Sequence, residues 1–61
     1  MKLNIGDGYV WFDGVKDSGI RLIYDKGDSF YCVFNFATLD TYKIIDRELE
    51  RWVRNGEAIL L

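Results

Sequence analysis

The stretch that decides the fold is Ile20 to Phe36, IRLIYDKGDSFYCVFNF, which holds the densest apolar material in the chain. Its two apolar runs flank Asp25-Lys26-Gly27-Asp28. Gly27 stands where a three-residue hairpin loop needs a positive φ, after two residues that suit a type I turn. That loop pairs Tyr24 with Asp28, Leu22 with Phe30 and Ile20 with Cys32. A two-residue loop at Lys26-Gly27 would instead set Asp25 opposite Asp28, an unfavourable like-charge pair. It would also put Arg21 on the face of Cys32 and Phe34, because one residue of slip sends every side chain to the other side. The first register is the expected one. It lines the core with Ile20, Leu22, Phe30, Cys32, Phe34 and Phe36, and leaves Arg21, Ile23, Tyr31 and Val33 behind them.

Upstream, Leu3-Asn4-Ile5 alternates, Gly6-Asp7-Gly8 marks a turn or bulge, and Tyr9 to Phe12 reads as a strand. The polar run from Asp13 to Gly19 reads as an exposed loop. Downstream, Ala37 to Asp40 is a connector and Thr41 to Ile45 a short strand with Tyr42 and Ile44 on one side. The period then changes. Asp46 suits an N-cap, Leu49, Trp52 and Val53 recur at helical spacing, and Asn55-Gly56 suits a stop. The spacing predicts an amphipathic helix over about 46–55, docked on the sheet, with Glu57 to Leu61 returning as a last strand. The expected class is α+β, mainly β: a small antiparallel sheet or barrel of about five strands with one C-terminal helix, all in a single domain, 1–61.

The size leaves little margin. A chain of 7.2 kDa exposes roughly 10,400 Å² unfolded and about 4,100 Å² folded. With about 60% of the difference apolar, burial contributes on the order of 95 kcal/mol. Ordering the chain costs about 90 kcal/mol. Either a well-filled core, an oligomer or a partner has to supply the rest. The single cysteine, Cys32, excludes an internal disulfide and reads as a buried structural thiol. The start of the chain carries no signal-peptide hydrophobic region, and the longest apolar run, Phe30 to Phe34, is far too short to cross a bilayer. A cytoplasmic, soluble chain with no membrane partner is expected. Ten acidic and eight basic residues give a net charge of −2, which speaks against neutralising phosphate as the main task.

The opening, Leu3-Asn4-Ile5-Gly6-Asp7-Gly8-Tyr9-Val10, resembles the apolar–x–x–Gly–Asp–x–x–apolar start of many SH3-like small β-barrels. The succession of strand, polar loop, hairpin, short strand, helical turn and last strand is similar too. The helix of about ten residues departs from that pattern, in which a single turn precedes the last strand; a curled sheet covered by the helix fits as well as a closed barrel. The resemblance is at the level of fold and implies no ligand.

The chain has no His. That removes Ser–His and Cys–His nucleophile pairs and the commonest zinc ligand. Asp13 with Asp17, and Asp25 with Asp28, lack an apolar wall to raise a pKa and read as turn-formers. No catalytic residue, metal site or cofactor is expected. Two surfaces remain. With Val10 and Phe12 facing inward, Tyr9 and Trp11 face out, as does Tyr31 beside Arg21; such aromatics can stack on bases or grip an extended peptide. For Trp11 a second placement, packed beneath the helix near Trp52, is favoured. The other surface is the helix stripe Arg47, Arg51 and Arg54, where Glu50 lies in pairing range of Arg47 and Arg54. The leading expectation is a non-enzymatic interaction module that binds another protein; on length alone it fits an accessory or inhibitory protein of a phage or other mobile element. The alternatives are a nucleic-acid-binding module using the aromatics and the arginines, and a homodimer with a structural role, in which open strand edges would pair.

Overall fold

A computed structural model of the chain describes residues 2–11 and 19–61. The elements run β1 (Gly8–Trp11), β2 (Arg21–Lys26), β3 (Phe30–Asn35), β4 (Asp40–Ile45), α1 (Asp46–Arg54) and β5 (Ala58–Leu60). The strands form one antiparallel sheet in the order β4-β3-β2-β1-β5. The small, mainly β, α+β class expected from the sequence is what the chain adopts. Phe12 and the expected loop from Asp13 to Ser18 lie outside the described residues.

The central hairpin forms, but in a different register. Leu22 faces Phe34 and Ile23 faces Val33, while Asp25 and Lys26 face Cys32 and Tyr31, with the register shifting between Ile23 and Asp25. The strand thus continues through the residues read as its loop. The connection is Gly27 to Ser29, closed by the Gly27 N–H donating to the Phe30 carbonyl at 2.9 Å. Gly27 is not at positive φ; among the described residues the glycines at positive φ are Gly6 and Gly56. What it supplies is space: a Cβ there would come within 2.3 Å of the Phe30 ring.

The shift, an even one, keeps Ile20, Leu22, Phe34 and Phe36 together on one face; what is reversed is which face meets the core. The buried side carries Ile23, Tyr31 and Val33, with Arg21 and Asn35, whereas Ile20 and Phe36 stand about half exposed. β1 follows its neighbour: Tyr9 lies opposite Arg21 and is fully buried, so Val10, not Tyr9, is turned away from the core. The physical reason is polar satisfaction. The Tyr31 hydroxyl accepts the Leu3 N–H at 3.1 Å and donates to Glu50 Oε2 at 2.6 Å. The Asn35 side chain accepts the Ala37 N–H at 2.8 Å, and Arg21 donates to the Gly19 carbonyl at 2.8 Å. These polar groups find partners in this arrangement, and a count of apolar residues does not register them.

The helix matches its sequence reading almost to the residue. Leu49 is fully buried, and Trp52 and Val53 pack on the core with Leu3, Tyr9, Ile23, Tyr31, Val33 and Ala58. Its start differs: Ile45 takes the N-cap position, and Asp46 is the first helical residue, its carboxylate accepting the Arg47 N–H at 2.6 Å. The end is a Schellman arrangement, with the Glu57 N–H on the Trp52 carbonyl at 2.9 Å and the Gly56 N–H on that of Val53 at 3.2 Å. Gly56 sits at φ +82, and nothing lies within 4 Å of a Cβ built there. Replacing it isolates backbone strain from packing. Gly56→Ala should lower stability by roughly 1 kcal/mol, read as a lower denaturant midpoint at unchanged slope, and Gly56→Asn by less.

Candidate interaction surface

The aromatic surface read from the sequence is not a surface. Tyr9, Tyr31 and Arg21 are 0%, 3% and 4% exposed. The Tyr9 hydroxyl lies 3.5 Å from that of Tyr42. Trp11 takes the favoured alternative: half-buried, it packs edge-on against Trp52 with ring centroids 4.9 Å apart, against Tyr9 at 5.9 Å, and under the Arg21 guanidinium at 5.6 Å. These four residues are brought together as the packed seam between sheet and helix. Cys32 is buried, as the thiol reading required.

The arginine stripe is on the surface. Arg47, Arg51 and Arg54, with Ile45, Glu48 and Glu50, line an open groove of about 410 Å³ on the exposed helix face. The expected pairing is rearranged. Arg51 bonds Glu48 at 2.5 Å, one turn back, while Glu50 is drawn inward by the Tyr31 hydroxyl. Among the described residues, Arg47 and Arg54 make no ion pair. Exposed single charges of this kind contribute little to stability.

The surface that the sequence reading missed lies on the opposite side of the sheet. Leu22 faces Gly8 on one side and Phe34 on the other, and the Leu61 N–H donates to the Gly8 carbonyl at 2.9 Å. This places Leu61, just past β5, in one row with Gly8, Leu22, Phe34 and Thr41 of β1 to β4. One step along, Ile59 faces Val10 and the Phe36 N–H donates to the Ile20 carbonyl at 3.0 Å, giving a second row of Ile59, Val10, Ile20 and Phe36. Ile20, Phe36, Ile59 and Leu61 are 47%, 52%, 42% and 72% exposed, and Phe34 packs edge-on against Phe36 at 4.8 Å. The helix lies on the other side, so among the described residues nothing is layered over these rows. The signal was present in the sequence: Ile20, Leu22, Phe34 and Phe36 are the residues whose alternation marked them as core. Nor is any helix among the described residues long and apolar enough to cross a membrane.

Two phenols are held neutral by the fold. Burial, then the contact with Tyr42, raises the pKa of Tyr9; burial, then the bond to Glu50, raises that of Tyr31, with the Leu3 N–H opposing. A pKa raised on folding gives stability that is full below the unfolded value, about pH 10, and is lost as pH rises through the folded value. Alkaline titration should therefore show these two phenols ionising only as the sheet's circular dichroism is lost; complete ionisation of all four tyrosines with the sheet intact would contradict their burial.

Comparison with known proteins adds no name to this geometry: no protein-family model, no curated protein and no solved structure matches the chain.

Proposed function

We propose that the chain is a non-enzymatic protein-interaction module, and that it holds its partner on the outer face of the sheet rather than on the aromatics around Tyr9 and Tyr31. The observation that carries this reading is the pair of apolar rows, with Ile20, Phe36, Ile59 and Leu61 open to water. Apolar patches of this extent on small folded chains mark contact sites. The absence of His from the sequence and the burial of Cys32 support the non-enzymatic part. The likeness to SH3-like small barrels belongs to the same proposal; it is supported by the sequential antiparallel strands and by the fifth strand lying beside the first.

Nucleic-acid binding is the weaker reading. A stacking platform needs exposed rings, and Tyr9 and Tyr31 are buried; Arg47 and Arg54 would act alone, on a chain of net charge −2.

The two readings use opposite sides of the molecule, so paired variants separate them. Ile20→Lys/Phe36→Lys places long side chains at exposed positions, where their charges reach water without unfolding the chain. Arg47→Ala/Arg54→Ala strips the helix face. The immobilised wild-type chain and the arginine variant should retain protein from a lysate that also contains the untagged chain, and the sheet variant should not. Retention unchanged in the sheet variant, or salt-sensitive binding of single-stranded DNA lost in the arginine variant, would overturn the assignment.

A further inference from the structure

We infer that the occupant of the outer sheet face is a second copy of this chain, packed sheet to sheet about a two-fold axis. The inference rests on the reading of that face as the interaction surface and names what covers it.

Four features lead to a second copy. The first is chemistry. The two rows contain no charged residue, so a partner needs no complementary charge, and an apolar patch set against itself satisfies both sides. Lys43 and Asp25 flank Cys32 one row further on, where they would sit at the rim.

The second is shape. The Phe34–Phe36 pair stands at one end of the face. At the other, Gly8 presents no side chain, and a Cβ built there would meet Leu61 at 3.6 Å and Ile20 at 3.9 Å. The face therefore carries a ring pair over β3 and a shallow notch at Gly8 on β1, bordered by the side chains of Leu61 and Ile20. A two-fold axis between them lets the ring pair of each copy enter the notch of the other, since an isologous contact pairs residue i with j and j with i.

The third is area. The molecule measures 30 × 26 × 16 Å, so a rectangle of about 780 Å² bounds its broad side. A stable interface takes about 800 Å² from each partner. Sheets stacked at about 10 Å also form a well-known kind of core.

The fourth is energetic. Burial and chain entropy nearly cancel for a single chain of this size, and among the described residues the nine-residue helix covers one side of the sheet only.

Edge-to-edge pairing competes with this arrangement and is disfavoured by the strands at the edges. β5 is three residues long, and β4 carries Asp40 and Lys43, charges that deter strand addition.

Sedimentation equilibrium of the purified chain from low micromolar to near-millimolar concentration tests the proposal. The expected mass is twice 7.2 kDa, falling to that of one chain in Ile20→Lys/Phe36→Lys with circular dichroism unchanged. Gly8→Leu, which fills the notch, should weaken association at least tenfold, while Lys43→Glu at the rim should change it little. A dimer that persists in the double lysine variant overturns the proposal, as does a chain that stays monomeric. In the monomeric case, anilinonaphthalene sulfonate distinguishes the two levels of inference. Dye bound by the wild type and lost in the double lysine variant keeps the face as an interaction surface and rejects the second copy as its occupant. A monomer that binds no dye overturns both.

Discussion

The Tyr31 hydroxyl is the contact on which the arrangement depends. It accepts the N–H of Leu3 and donates to the carboxylate of Glu50, so one oxygen ties the N-terminal segment, the second strand of the hairpin and the helix. A buried phenol, a backbone amide and a carboxylate each cost one to several kcal/mol when left without partners, and here they satisfy one another. Turning the hairpin over would expose Tyr31, leave the Leu3 amide to find another acceptor and release Glu50 to the arginines. The face bearing fewer purely hydrocarbon side chains is therefore the one that faces the helix.

The sequence made some of this legible and hid the rest for identifiable reasons. Leu49, Trp52 and Val53 announced a helix because helical period is a local property, and Asn55-Gly56 announced its end because few residues adopt a left-handed φ at low cost. Strand existence was equally local. Register was not. It depends on where the hairpin turns, and Gly27 serves there by the clearance it gives Phe30, not by a positive φ. The bulge after Ile23 compounded this, since an extra residue on one strand restores pairing beyond it without any mark in the composition. Nor does alternation say which of the two faces meets the helix, and it is the face with Tyr9 and Tyr31 that does, so they are core rather than contacts. The arginine stripe kept its exposure because helix faces follow from period alone.

Reversal of the faces also changes what the apolar content means. In the expected register Ile20, Leu22, Phe34 and Phe36 filled the core, and Arg21, Ile23, Tyr31 and Val33 lay on the other face. In the observed one the core is completed by Leu3, Tyr9, Leu49 and Ala58, which come from four separate segments. The strongest alternating pattern in the chain is left on the outside. A sheet with apolar residues on both sides calls for a layer on each, and the helix supplies one.

A chain with such a face must avoid indiscriminate association, and its edges show how. Open strand edges recruit any extended segment, because backbone groups pair without regard to sequence. β4 places Asp40 and Lys43 along one edge and β5 is too short to offer a long template on the other. A broad side is more selective. Side chains there must fit in shape as well as polarity, and the Phe34–Phe36 pair and the bare Gly8 give this one relief that a flat apolar plane would lack. Guarded edges and a sculpted open face are what a small sheet requires if it is to meet one partner closely and others poorly, since selectivity comes as much from rejected contacts as from favoured ones.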